Sequence, residues 1–175
     1  MRLKRLLFLC TALLSFTTSF ADDFVQNSIK YTTSSDKTVT LVDGKSTSGD
    51  VVIPSSVRYG KNDYAVTVIE HNAFQGNNSI TSVIIPSSVN SIGYSAFNAC
   101  KNLRSVTDAS SNANMQGYEY TDCTNLQSVT LSGSLQTIGY RSFANTGLTS
   151  LVLPANVKEI GGQAFQDCQH LTQVQ

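Results

Sequence analysis

Few side chains in this sequence are suited to chemistry, and their spacing is regular. Cys100, Cys123 and Cys168 lie 23 and then 45 residues apart. Thiols brought together could form a disulfide, and thiols joined by histidines could hold zinc. The two histidines, His71 and His170, fall near opposite ends of the region that contains the cysteines. The chain has no GxSxG elbow, HExxH pair or phosphate-binding loop, so nucleophilic, zinc-hydrolytic and nucleotide chemistry all lack their residue sets. Asp108 and Glu119 are unusual only for interrupting a pattern of apolar and small residues. The expectation is therefore no enzyme, no cofactor and no metal.

The 23-residue interval extends well beyond the cysteines. ITSVIIPSSVNSIGYSAFNACKN (80–102) aligns along its whole length with LTSLVLPANVKEIGGQAFQDCQH (148–170). LRSVTDASSNANMQGYEYTDCTN (103–125) and LQSVTLSGSLQTIGYRSFANTG (126–147) keep the frame between them, the second with one residue deleted. An earlier copy, from about Val51 to Ser79, carries a nine-residue expansion, and LTQVQ begins another copy. Repetition at such a period is the signature of a solenoid. With Ile80 as position 1, apolar residues recur at positions 1, 4, 6, 10, 13 and 18. Position 18, for example, reads Phe74, Phe97, Tyr120, Phe143 and Phe165.

Each repeat opens apolar-x-x-apolar-x-apolar and is rich in Val, Ile and Thr, which predicts a short strand with alternate residues inward. Pro54, Pro86 and Pro154 share position 7, where a residue with no N–H ends a strand. Gly93, Gly139 and Gly161 share position 14 and predict a tight bend. A single helical turn over segments such as SAFNAC should follow, carrying the phenylalanine inward. The fold class expected is an α/β but β-rich repeat, with one short strand and one helical turn per unit of about 23 residues.

Before the repeats, MRLKR, LLFLCTALLSF and SFA make a basic, apolar and small-residue series, so residues 1–21 read as a cleavable signal peptide. Its apolar run is about half the ~20 residues of a bilayer-spanning helix, so no stable membrane insertion is expected after cleavage. Lipidation at Cys10 is disfavoured by the large Leu9 before it. Removing the signal leaves nine basic against twelve acidic side chains, a net charge of −3, with no basic run. That composition argues against nucleic-acid binding. IKYTT and TVTLV, separated by SSDK, predict a β-hairpin cap within residues 22–49, leaving 50–175 for the solenoid.

IPSSV, the YGKNDYAVTVIEHNAF insert and the SIGYSAFNACKNLRSV-like units together resemble the BspA-like leucine-rich repeat family of bacterial surface proteins. The IG-x-x-AF-x-x-C core is well formed at 92–100 and 160–168, whereas at 138–146 Ser142 and Thr146 replace Ala and Cys. The resemblance implies a right-handed leucine-rich-repeat solenoid with strands on its concave side, secreted or held at the cell surface. It further implies adhesion or recognition of a protein or glycan, such as a host matrix protein.

Strand positions 2, 3 and 5 should then face the concave surface: Thr81, Ser82, Ile84, Arg104, Ser105, Thr107, Gln127, Ser128, Thr130, Thr149, Ser150 and Val152. Arg104 is the one charge among them. Their hydroxyls and amides could bond a peptide or glycan, although Ser and Thr also simply suit exposed strands. Tyr94, Tyr140 and the displaced Tyr118 would either anchor a partner or cover the phenylalanine column. The cysteines, all at position 21, read as a ladder of small inward side chains. A Cys100–Cys123 bridge between coils about 4.8 Å apart is the alternative, with poor geometry for parallel side chains. Asp108, Asn112 and Glu119 at positions 6, 10 and 17 predict that 107–119 bulges outward, because unpartnered buried carboxylates are costly. The competing functional reading is a structural repeat protein that assembles end to end through its last, uncapped repeat.

Overall fold

Residues 21–175 are described by a computed structural model, and the signal segment expected over residues 1–21 falls, but for Ala21, outside the described residues. The strands are β1 (Asp23–Gln26), β2 (Ile29–Thr33), β3 (Thr38–Asp43), β4 (Gly49–Val52), β5 (Ser56–Tyr59), β6 (Asn62–Ile69) and β7 (Ile80–Ile85). They continue as β8 (Ser91–Ile92), β9 (Ser105–Asp108), β10 (Ser128–Thr130), β11 (Thr137–Ile138), β12 (Ser150–Leu151), β13 (Glu159–Ile160) and β14 (Gln173–Val174). The opening segments of successive repeats form a parallel sheet in the order β10-β9-β7-β4. Equal frame positions lie opposite one another: Val51, Val83, Val106 and Val129 make one row, and Asp50, Ser82, Ser105 and Ser128 the next. A second line of short strands runs through position 13, pairing Ile69 with Ile92 and Ile138 with Ile160. The result is a β-rich solenoid.

The expected helical turn is absent among the described residues. Positions 16 and 20 of every repeat carry positive φ, between 54° and 73°: Asn72 and Gly76, Ser95 and Ala99, Tyr118 and Asp122, Arg141 and Asn145, Gln163 and Asp167. A left-handed residue every fourth position interrupts any α-helix. The backbone hydrogen bonds alternate instead. The N–H groups of Ala96, Asn98 and Cys100 close turns onto Gly93, Ser95 and Phe97, while those of Ser95, Phe97 and Ala99 donate to Gly117, Glu119 and Thr121 on the next coil. The segment is thus a stack of tight turns stitched between coils, and its buried polar backbone is satisfied without a helix.

Inside, the position-18 rings stack face to face. Centroid separations are 5.0 Å for Phe74–Phe97, 5.5 Å for Phe97–Tyr120, 5.5 Å for Tyr120–Phe143 and 5.7 Å for Phe143–Phe165, with interplanar angles of 4–14°. At the amino-terminal end the Phe74 ring lies where a side chain on Gly44 would stand, 2.1 Å from an added Cβ. There β1, β2 and β3 form an antiparallel meander, and β3 then pairs in parallel with β6, setting Leu41 beside Ile69 as an additional coil would. The nine-residue expansion is the β5–β6 hairpin, whose Tyr59 stacks on Phe24 of the meander at 4.7 Å.

The position-14 glycines owe their identity to crowding between coils and not to a left-handed bend. A Cβ on Gly93 would lie 2.4 Å from the His71 nitrogen, and one on Gly139 2.5 Å from the Met115 carbonyl oxygen. Gly139→Ala should therefore destabilise the protein by about 1–3 kcal/mol, the usual cost of overpacking. Urea unfolding read by far-ultraviolet circular dichroism will measure this, with Gly133→Ala, which meets nothing within 4 Å, as the control.

Candidate functional site

Three continuous rows on the strand face are set by the register of β7, β9 and β10. Ser82, Ser105 and Ser128 lie side by side, as do Ile84, Thr107 and Thr130, with Thr81, Arg104 and Gln127 at the strand entrances. The Gln127 N–H donates to Arg104 and the Arg104 N–H to Thr81. Thr81, Ser82 and Ser105 are half-buried and the others exposed. A carboxylate also belongs to this face: Asp50, opposite Ser82, accepts from the Thr81 hydroxyl at 2.8 Å and the Ser82 hydroxyl at 2.7 Å. Those bonds, Ser82 foremost, hold its carboxyl below the ordinary range. Arg104 is therefore not the face's only charge. Carrying the repeat frame one residue back from Val51 would have placed Asp50 at position 3.

Thr149, Ser150 and Val152 do not continue the rows in register. β12 pairs with β14 and belongs to a separate sheet from β10. Thr172 donates to Thr149 as Gln127 does to Arg104, but among the described residues no such bond joins Thr149 to Gln127. Between the two strands opens a groove of about 500 Å³, lined by Gln127–Leu131, Gly133 and Ser150–Pro154. Val129 in its floor is half-exposed, whereas its column mates Val83 and Val106 are buried. The coils remain joined on the other side, where β11 pairs with β13 and the Phe143 N–H reaches Ala164 at 2.8 Å. The splay begins at the one-residue deletion before Leu148. There Gly147 lies so close to the preceding coil that a Cβ would be 2.6 Å from the Thr124 carbonyl oxygen.

The third repeat does not bulge outward. β9 stays in the sheet, and Asp108, Ser110, Asn112 and Glu119 are buried. Side chains there replace missing turn bonds. Asp108 Oδ1 accepts the Ser110 N–H at 2.8 Å, Ser110 Oγ the Asn112 N–H at 3.3 Å and Glu119 Oε1 the Gln116 N–H at 3.3 Å, while the Ser132 hydroxyl donates to the Ser110 carbonyl. Glu119 Oε2 has no partner. Burial pushes the Glu119 carboxyl well above its ordinary range, and Asp108 nearby adds to the shift; burial also raises Asp108.

Cys100, Cys123 and Cys168 are free thiols. Each donates to the carbonyl of the phenylalanine one coil earlier, at 3.1 Å to Phe74, 3.1 Å to Phe97 and 3.0 Å to Phe143. Asn77 and Thr146 at the same position also donate inward, to Gly44 and Phe143, so the column is one of small inward hydrogen-bond donors. His71 accepts the Tyr94 N–H at 2.9 Å on the first coils, and His170 lies on the fifth repeat. Tyr94, Tyr118 and Tyr140 pack together along one margin, with centroids 5.1 and 5.5 Å apart and the Arg141 guanidinium 6.0 Å over Tyr118. Among the described residues no helix is long and apolar enough to cross a membrane.

Residues 51–172 match the BspA type leucine rich repeat region in six copies. A leucine-rich repeat protein from Bacteroides ovatus is 31% identical, with a TM-score of 0.78 over 87% of this chain and 41% of its own. The T. pallidum leucine rich repeat protein is 30% identical, with a TM-score of 0.75 over 87% of this chain and 71% of its own. A leucine-rich repeat protein from Bacteroides capillosus is 28% identical, with a TM-score of 0.58 over 87% and 96%. The chain thus spans less than half the length of the Bacteroides ovatus protein. No curated protein matches it.

The buried carboxyls of the third repeat make stability depend on pH. Burial raises the Glu119 carboxyl in the fold above the value it regains once unfolded, so its contribution is complete below the unfolded value. It is lost as pH rises toward the higher value of the folded state. Urea midpoints should therefore fall from pH 5 to pH 8, and Glu119→Gln should flatten that slope and raise the midpoint at pH 8. An unchanged slope would show that Glu119 is charged in the fold.

Proposed function

The chain belongs to the BspA-type leucine-rich repeat family, and from that membership we propose that it is a secreted or cell-surface, non-enzymatic recognition module whose strand face contacts a protein or glycan. The observation that carries this reading is the in-register face built by β4, β7, β9 and β10. It presents rows of hydroxyls and amides together with one carboxylate, Asp50, and one guanidinium, Arg104, and opens into an apolar groove. The amino-terminal signal series supports export, and the family's association with bacterial surfaces supports adhesion to a host matrix component.

A glycan and matrix-protein array tests it directly. Arg104→Ala and Gln127→Ala should each weaken captured binding by roughly three- to thirtyfold, the loss of one polar contact of about 1–2 kcal/mol. Lys101→Ala, outside the face, should not. Binding indifferent to Arg104 and Gln127 would remove the strand face as the contact surface.

A second reading, end-to-end assembly without a ligand, is favoured by the apolar edge of the last coil. Ile160 is 48% and Val174 43% exposed there, beside half-buried Phe165 and Leu171. Another copy, or further repeats, would cover that edge. Sedimentation of residues 22–175 separates the two: concentration-dependent dimers abolished by Leu171→Lys or Val174→Lys support assembly, and a monomer at all concentrations argues against it.

A further inference from the structure

We infer that the groove between β10 and β12 is a docking site for an extended peptide of about five uncharged residues, a proposal that rests on the reading of the strand face as the recognition surface. The lips are Gln127–Leu131 and Ser150–Pro154, each long enough for about 16 Å of extended chain. Both lips are strand edges that face one another without a ladder. Every other consecutive pair in the strand-face series, β4 with β7, β7 with β9, β9 with β10 and β12 with β14, is joined by one. Open edges present N–H and C=O groups at the strand period, which a peptide backbone matches and a sugar does not.

The rest of the groove selects in the same direction. Its floor is Val129, Leu131, Leu151 and Leu153, at positions 4 and 6 of two coils, so apolar contacts recur with the alternation of side chains along a bound strand. Val152, 67% exposed on one lip, would be covered by such a segment. None of the lining residues is charged, which disfavours acidic or basic ligands, and none is aromatic, which removes the usual platform for a sugar ring. The site exists because the fourth repeat is one residue short. Restoring that residue should close it by allowing β12 to pair with β10.

The test uses residues 22–175 and a library of acetylated, amidated seven-residue peptides with Val, Ile, Leu or Ala alternating with Ser or Thr. Binding is followed by amide chemical shifts and hydrogen exchange. Saturable binding is expected, with those amides of 128–131 and 150–153 that are not already bonded toward β9 or β14 becoming protected. It should weaken at least tenfold when the backbone donors of the best peptide are removed by alternate proline substitution. Insertion of one asparagine after Gly147, with unchanged circular dichroism, should abolish binding, and Val152→Lys should weaken it at least fivefold. If the insertion variant does not fold, Val152→Lys and the proline peptides decide.

Absence of saturable binding across the library, or binding indifferent to both variants, overturns the proposal. If array binding still depends on Arg104 while no peptide enters the groove, the groove assignment fails and the strand-face reading stands. If peptides protect the groove while Arg104 and Gln127 variants leave array binding unchanged, the wider face fails and the groove remains.

Discussion

The backbone bonds that tie each coil to the next are the constraint from which the other features follow. Alternate N–H groups in the turn region have no acceptor within their own coil and reach the carbonyls of the following one, as Phe97 does to Glu119 and Tyr120 to Ser142. This fixes a rise of about 5 Å per repeat, the ordinary spacing of paired strands, and whatever stands at one frame position must pack against its own equivalent above and below. Flat rings suit that rise, hence the stack from Phe74 to Phe165. The same closeness excludes a Cβ at Gly93, Gly139 and Gly161. The left-handed residues at positions 16 and 20 follow as well. Ala99, Tyr118 and Arg141 adopt a conformation that costs about 1–2 kcal/mol each, and they are held in it by bonds that cannot form in a helical geometry.

This dependence on neighbours explains what could be read from the residues alone. Columns such as Ile69, Ile92 and Ile138, or the thiols at position 21, repeat visibly because each must match its equivalents, so period, strand positions and core were legible. The turn region was not. SAFNAC contains nothing hostile to a helix, and the positive φ of Ser95 and Ala99 is dictated by coils 23 residues away, beyond the reach of local propensity. Asp50 was missed for a smaller reason, since the first repeat was started at Val51, two residues inside its strand.

The third repeat shows how far the frame can be violated before it yields. Sequence logic sent Asp108, Asn112 and Glu119 outward because lone buried carboxylates are expensive. The coil keeps them inside because pushing them out would sever its bonds to the coils on both sides. It lowers the cost locally instead: Asp108 and Asn112 cap nearby N–H groups, and burial shifts the Glu119 carboxyl upward, toward its uncharged form. The stack thus tolerates polar side chains more readily than a change in coil length.

The fourth repeat makes the complementary point. It departs from the frame by one missing residue before Leu148, and there the sheet breaks, although its neighbouring side chains are ordinary. The break is confined to the strand side. Across the same junction the rings of Phe143 and Phe165 remain 5.7 Å apart and β11 still pairs with β13, so the coils pivot about an intact turn stack. A wedge of that kind exposes Val129 from a column whose Val51, Val83, Val106 and Leu151 are buried, and it opens onto the face where the amide and hydroxyl rows end. A deletion in a turn would ordinarily cost a solenoid its continuity. Here, because turn ladder and strand ladder are separate attachments between the same two coils, one can open while the other keeps the stack whole.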